Sequence, residues 1–219
     1  MALDPLAMAA PAGPVPTPTE SRCRIEAEAL KLIRCGARAG LVQQLTGLSQ
    51  ARIGRMYREV HHRHSPPGLA PYTDTWLMKS LMRRLHASIV WRYHHALVDH
   101  ALAPAAHLIA LNTLYHQAVR EPLLDIARIH SIPVLVQSGI WQAQHCVECG
   151  VRSVGPAGEP HSLCPACLLY RRHRCPTCGR PWPGHLTGRM PSRCHDCGKA
   201  TVQNGPARQR RAGPARRRP

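Results

Sequence analysis

Phenylalanine is absent from the 219 residues of the chain, and only 4 Trp and 5 Tyr supply large aromatic side chains. The apolar core must therefore be built mainly from Leu, Ile, Val, Met and Ala. Such a core suits packed helices better than a β-sandwich, whose strands favour aromatic and β-branched residues. The same absence leaves few aromatic surfaces on which single-stranded RNA bases could stack, so the composition disfavours an RNA-binding platform.

Acidic residues are scarce. The chain has 12 Asp and Glu against 29 Lys and Arg, which gives a formal net charge of +17. An excess of this size favours polyanionic partners, with nucleic acid first and an anionic membrane surface second. A metal-dependent enzyme would need an acid or base beside an open metal position, yet only Glu148, Glu159 and Asp196 lie among the cysteines. We therefore expect no catalytic residues and no enzyme activity.

Long apolar runs are also missing. The longest candidate, residues 100–114, is interrupted by Pro104 and His107, whereas a membrane helix needs roughly 18 to 20 apolar residues. The first 17 residues lack the basic start of a secretory signal and contain several prolines. We expect a cytoplasmic protein without membrane contact. In that reducing compartment, the ten cysteines are better suited to bind metal than to form disulfides.

Changes in composition divide the chain into four parts. Residues 1–20 are rich in Ala and Pro, and we expect a disordered leader. Residues 21–144 carry apolar residues at helical spacing, although 131–144 fit a strand as well as a helix. Residues 145–198 hold the cysteine pairs, and residues 199–219 predict a disordered Arg-rich tail. The predicted fold is mostly α: a helical body containing a helix-turn-helix-like unit, followed by a small zinc-binding C-terminal domain.

Eight cysteines form four Cys-x-x-Cys pairs, and they are Cys146/Cys149, Cys164/Cys167, Cys175/Cys178 and Cys194/Cys197. Two residues between the ligands let both sulfurs reach one tetrahedral ion, and two pairs complete a site. The gaps between the first and second pairs and between the third and fourth pairs are 14 and 15 residues. These gaps favour two sequential zinc sites. An arrangement that joins the first pair to the third remains open.

Four thiolates saturate zinc and leave no position for water or substrate, so both sites are interpreted as structural. An iron–sulfur cluster is also chemically compatible with four cysteines. The other two cysteines, Cys23 and Cys35, lie on the first predicted helix, and we interpret them as small buried apolar residues.

Residues 37–61 predict two short helices joined by a tight turn. Gly47 suits a turn with positive φ, and Ser49 suits the N-cap of the second helix. That helix has an apolar back that includes Ile53 and Met56. Its opposite face carries the candidate DNA contacts, which are Gln50, Arg52, Arg55 and Arg58. A solvated helix of an ordinary bundle shows the same pattern, but the net charge and the cysteine domain favour DNA contact.

A series of short motifs between residues 25 and 167 resembles one known family in order and spacing. The motifs are Gly36-Ala37-Arg38, Leu45 to Ser49, Tyr57-Arg58-Glu59, Ser65-Pro66-Pro67-Gly68, Asp74, Trp76, His86-Ala87-Ser88 and the first cysteine quartet. The family is FlhC, the C subunit of the bacterial flagellar master transcriptional regulator. After Cys167 the chain departs from the family pattern, because it carries two further cysteine pairs and a long Arg-rich end.

The resemblance implies a mostly helical body, a structural zinc ion at the first quartet and assembly with a small helical FlhD-type partner subunit. It also implies that the hetero-oligomer binds promoter DNA upstream of flagellar operons and recruits RNA polymerase. We therefore expect a DNA-binding activator subunit for flagellar and motility genes. The alternative is a zinc-ribbon adaptor for RNA or protein, and a metal-dependent enzyme fits less well.

Overall fold

The computed structural model describes residues 17–67, 73–159, 163–182 and 193–198. The predicted tail and residues 1–16 of the predicted leader lie outside the described residues. The described chain is mostly helical, as its composition predicted, and one two-stranded antiparallel sheet follows the seventh helix. The elements are α1 Pro18–Arg34, α2 Ala39–Thr46, α3 Gln50–His61, α4 Thr75–Met78, α5 Leu81–Val98, α6 Pro104–Ala118, α7 Ile126–Gln137, β1 Trp141–His145, β2 Arg152–Pro156 and α8 Pro165–Arg172.

Helix α1 begins before the predicted end of the leader at residue 20. Thr17 is its N-cap, and the Thr17 hydroxyl accepts a hydrogen bond from the backbone N–H of Glu20 at 3.2 Å. In return, the Glu20 carboxylate accepts the backbone N–H of Thr17 at 2.8 Å. This reciprocal capping box satisfies donors that a helix start otherwise leaves free, and Pro18 is pre-organised for the first turn. The Ala- and Pro-rich composition hid this local signal.

Helices α1, α2 and α3 pack on one another, and α1 and α2 also pack on α6. The turn between α2 and α3 has the predicted chemistry: Gly47 adopts φ 70°, and the Ser49 hydroxyl accepts the backbone N–H of Arg52 at 3.4 Å. Leu32, Ile53 and Met56 are buried at this junction. The interpretation of Cys23 and Cys35 as buried residues is wrong, because both lie on the exposed side of α1 and its C-cap.

Helix α5 is central to the second half of the chain, where it packs against α4, α6, α7, α8 and β2. Residues 131–144, whose sequence fitted a strand as well as a helix, contain part of a helix and part of a strand. Helix α7 continues to Gln137, Gly139 adopts φ 74°, and β1 begins at Trp141. Within the described ranges, no helix combines the length and the apolar character that crossing a bilayer requires.

A buried tyrosine hydroxyl joins three parts of this second half. The Tyr115 oxygen accepts the backbone N–H groups of Leu123 at 2.9 Å and Leu124 at 3.2 Å, and it lies 2.6 Å from Nδ1 of His86. Because both lone pairs are occupied, the hydroxyl proton must be donated to His86. Burial lowers the pKa of His86, which keeps the imidazole neutral and able to accept. The hydroxyl therefore ties α5, α6 and the segment before α7 together.

Removal of this hydroxyl in Tyr115→Phe should lower the free energy of unfolding by about 2 to 3 kcal/mol, because the buried N–H of Leu124 and the partly buried N–H of Leu123 lose their acceptor. Urea unfolding followed by helicity measures the change. The matched control is Tyr93→Phe, since Tyr93 is only half-buried and its hydroxyl makes no hydrogen bond within the described residues. The control should change stability by less than about 0.5 kcal/mol. Equal effects of the two substitutions would contradict the role assigned to the Tyr115 hydroxyl.

Three histidines line a groove of about 440 Å³ between α5, α6 and α7. Nδ1 of His94 lies 2.8 Å from Nε2 of His107, and His130 lines the same groove. Burial, with a smaller contribution from His107 and His95, lowers the pKa of His94 to about 4. Burial also lowers the pKa values of His107 and His130. The folded groove therefore holds these imidazoles in their neutral form.

This pattern predicts that acid destabilises the fold. Below pH 6.5 the unfolded chain binds protons that the folded groove excludes, so the free energy of unfolding falls as the pH falls toward the folded pKa of about 4. The double variant His94→Gln/His107→Gln should show a shallower loss of stability between pH 7 and pH 5 than the parent. Substitution of the exposed His64 by Gln is the control and should leave the slope unchanged. A double variant whose stability falls with pH as steeply as that of the parent would refute the conclusion that the folded groove holds these imidazoles neutral.

Candidate metal centres and nucleic-acid surface

The first cysteine quartet joins the sheet to α8. Cys146 directly follows β1, and the backbone N–H of Gly150 donates to the Cys146 carbonyl at 2.9 Å, with Gly150 at φ 69°. Cys164 is the N-cap of α8, so Cys167 lies in the first turn of that helix. The tight turn after Cys149 and the start of α8 bring all four sulfur atoms within 4.8 Å of one another.

The geometry of this quartet fits a tetrahedral metal ion. Sulfurs bound at about 2.3 Å around zinc stand about 3.8 Å apart, and the Cys149 and Cys164 sulfurs are 3.6 Å apart. Backbone N–H groups also face the sulfurs. That of Cys164 donates to the Cys146 sulfur at 3.2 Å, and that of Cys167 donates to the Cys164 sulfur at 3.4 Å. Such amides stabilise thiolates, which are the form that binds metal.

The pKa values of Cys146 and Cys167 in the first quartet shift in opposite directions. Burial acts to raise the pKa of Cys146, but the backbone N–H groups of Cys164, Cys149 and Glu148 more than offset it and bring the pKa down to about 6. Burial, together with hydrogen bonds to the other three sulfurs, raises the pKa of Cys167. Four adjacent thiolates need a cation among them, and a divalent metal ion would supply that charge.

The second quartet repeats this arrangement. Its cysteines are Cys175, Cys178, Cys194 and Cys197, whose sulfurs also lie within 4.8 Å of one another. The Cys178 and Cys194 sulfurs are 3.6 Å apart, and the backbone N–H of Cys194 donates to the Cys175 sulfur at 3.3 Å. Gly179 follows the second sulfur at φ 70°. The cysteines therefore group in sequential pairs, and the interleaved arrangement is not the one adopted.

The first quartet is anchored to the helical body through α5. The Ser88 hydroxyl accepts the backbone N–H of Val154 in β2 at 3.3 Å. The Arg84 guanidinium lies 3.3 Å from the Glu159 carboxylate. Among the described residues, the two segments of the second quartet are joined by an ion pair of 2.6 Å between Arg180 and Asp196, and the first segment meets α8 where the Arg174 guanidinium carbon lies 4.3 Å from the Tyr170 ring centroid. The two quartets thus share a geometry but differ in how they are supported.

The four candidate DNA contacts on α3 do not share one environment. Gln50, Arg55 and Arg58 are exposed, whereas Arg52 is half-buried. The Arg52 guanidinium lies 2.8 Å from the Glu26 carboxylate on α1, and its hydrogen bond lowers the pKa of Glu26. Arg52 therefore links α3 to α1 in the free chain. Helical periodicity gave no signal for this ion pair, because the two residues are 26 positions apart.

Several motif residues that carry the family resemblance have structural contacts. The indole N–H of Trp141 donates to the Asp74 carboxylate at 2.9 Å. The guanidinium carbons of Arg83 and Arg128 lie 4.0 Å and 4.1 Å from the Trp76 ring centroid. These contacts fasten the segment around α4 to α5, α7 and the sheet. Sequence reasoning found the motif residues but not these partners.

Comparison with known proteins agrees with the resemblance. The sequence model of one family, described as "Flagellar transcriptional activator (FlhC)", matches residues 21–178. A protein of Variovorax paradoxus named flagellar transcriptional regulator FlhC is 28% identical over 148 residues, which cover 65% of this chain and 72% of that protein. The protein of that name from Paraburkholderia phymatum is 30% identical over 148 residues, covering 64% and 66%.

The Serratia marcescens protein of the same name is 26% identical over 147 residues, which are 64% of this chain and 75% of that protein. The family match ends at Cys178, so Cys194 and Cys197 of the second quartet lie beyond it. The match covers well over half of the chain and includes all four cysteines of the first quartet. The chain therefore belongs to the FlhC family of flagellar transcriptional activators.

Proposed function

We propose that this chain is the DNA-binding subunit of a hetero-oligomeric activator of flagellar and motility genes, and that it reads promoter DNA with α3. The observation that supports this proposal most directly is that α3 is amphipathic. Ile53, Met56 and Tyr57 are buried, while Arg55 and Arg58 project into solvent. An apolar back and a cationic front allow a helix to enter the major groove while its scaffold holds it from behind. Membership of the FlhC family supports the same function.

The two arginines suit different parts of a DNA target. An arginine aimed at the groove floor can bind the O6 and N7 atoms of guanine in a bidentate manner, whereas one at the rim binds phosphate. Gln50, in the first turn of α3, could reach an adenine in the same groove. Arg52 has a different task in this proposal. Its ion pair with Glu26 orients α3 on α1, and the outward arginines make the DNA contacts.

Partner binding is the second part of the proposal. The family resemblance suggests an FlhD-type subunit, and it suggests that the joint assembly recruits RNA polymerase. Large apolar side chains that remain exposed on the free chain support the need for a partner. They include Val98, Leu102 and Val134, which lie at the α5–α6–α7 groove and are 54%, 40% and 46% exposed. Apolar patches of this kind are typical of surfaces that another protein covers.

Zinc in both quartets is the third part. All-cysteine ligation suits zinc, saturates its coordination and assigns it a structural task. At the first quartet the ion would hold the turn between β1 and β2 against the start of α8. At the second it would hold residues 175–178 against residues 194–197. Metal ligation releases the thiol protons, and the ion neutralises much of the negative charge of the thiolates. Metal binding and local folding are therefore coupled.

The purified chain should contain two zinc ions, because each quartet supplies a complete set of thiolates. Elemental analysis gives the stoichiometry, and X-ray absorption should show sulfur ligands alone. The variant Cys178→Ser should retain one ion and the parental helicity. Cys149→Ser should lose the ion of the first quartet and loosen the packing of β1, β2 and α8. One zinc ion in the parent would contradict the proposal for the second quartet, and visible iron–sulfur absorption would contradict zinc.

Arg55→Ala should weaken promoter binding by about 1 to 3 kcal/mol and relax the preference at one base pair if Arg55 contacts guanine. Arg58→Ala should do the same, or weaken all sequences alike if it contacts phosphate. Fluorescence anisotropy on the complex with the partner subunit, with promoter and scrambled duplexes, separates these outcomes. Lys31→Ala is a matched control, since Lys31 is an exposed cation on α1. A folded Arg55→Ala/Arg58→Ala complex with parental affinity and selectivity would refute DNA reading by α3.

A further inference from the structure

A second basic surface lies where the first cysteine quartet meets the helical body. A cleft of about 450 Å³ separates the start of α5 from α8. Lys79 and Ser80 line it from the turn before α5, and Arg172 lines it from the last turn of α8. Arg84 lies between them on α5. No acidic side chain lines this cleft among the residues that the structure describes.

Two of the cationic side chains in this cleft have no acidic partner among the described residues. Lys79 and Arg172 are exposed, and neither makes an ion pair with any residue in the described ranges. Neighbouring arginines differ in this respect, because Arg84 is 3.3 Å from Glu159 and Arg171 is 3.1 Å from Glu148. The N-terminal end of α5 opens on the same cleft and adds a positive partial charge to that of the side chains.

The packing of the sheet and α8 on α5 holds the backbones that carry these two cations on the two sides of the cleft. α8 and β2 both contact α5 directly, and the Val154–Ser88 hydrogen bond joins β2 to α5. The Cys164 sulfur accepts the N–H of Cys167 at 3.4 Å and caps α8. Lys79 and Arg172 therefore offer two cationic groups to one ligand in the cleft.

We propose that this cleft holds the sugar-phosphate backbone of promoter DNA and so sets the register in which the complex lies on the duplex. A phosphate suits both groups, because lysine offers a compact positive charge and arginine offers paired N–H donors. The contact is indifferent to base sequence, since phosphates carry no sequence information directly. This inference rests on the proposed DNA-binding function and adds a second contact region, formed by α5 and α8, to that of α3.

The test substitutes Lys79→Gln/Arg172→Gln in the full chain, with its metal and in complex with the partner subunit. Affinities for promoter and scrambled duplexes are measured across a range of salt concentrations. Each lost phosphate contact should lower the slope of log affinity against log salt by about 0.9, so the double variant should lose about 1.8. Both duplexes should weaken by the same factor. The conservative pair Lys79→Arg/Arg172→Lys should retain most of the parental slope.

A control with the same change in charge comes from Lys31→Gln/Arg120→Gln, since both residues are exposed cations outside the cleft. This control should keep the parental slope. If Lys79→Gln/Arg172→Gln fails to fold, as judged by zinc content and helicity, the single variant Lys79→Gln should still lower the slope by about 0.9.

A folded cleft variant with the parental slope would overturn the inference while leaving the proposed function intact. Weakened partner association with an unchanged slope would assign the cleft to the partner instead. A parental complex that binds no DNA would overturn both proposals.

Discussion

The packing of the β1–β2 hairpin against α5 is the constraint on which the rest of the structure depends. Trp141 is 1% exposed and Val154 is 2% exposed, so the hairpin buries one face on the helical body. An isolated two-stranded hairpin is marginal in water, and this burial supplies the stability that it lacks. The turn that carries Cys146 and Cys149 is thereby fixed relative to α8. The first cysteine quartet is consequently an extension of the helical core.

The hairpin also spans the predicted boundary between the helical body and the cysteine-rich part. The cysteine-rich composition begins at residue 145, but the hairpin begins at Trp141. Trp141 at the start of β1 looks like the end of the helical body because it is buried in the core of that body. The chain therefore changes its composition several residues after it changes its secondary structure.

Features governed by near neighbours could be predicted from the sequence. Gly47 and Ser49 specify the turn between α2 and α3 through one backbone conformation and one side-chain cap. The two sequential quartets follow from cysteine spacing in the same way. Contacts between distant residues could not be predicted. Arg52 and Glu26 are 26 positions apart, and Val154 and Ser88 are 66 apart. No periodic pattern in the sequence encodes a contact between two elements that meet only after folding.

The two quartets share an asymmetry in solvent exposure. Cys146 and Cys175, the first cysteine of each, are buried, whereas Cys149 and Cys178, the second of each, are exposed. An oxidant that approaches from solvent thus meets the second cysteine of the quartet in both cases. Sulfenic acid formation there would remove one thiolate from the set while the buried sulfur stays shielded. Because the first quartet is joined to α5 through β2 and α8, oxidation of Cys149 would strain the helical core as well as the local fold around the sulfurs.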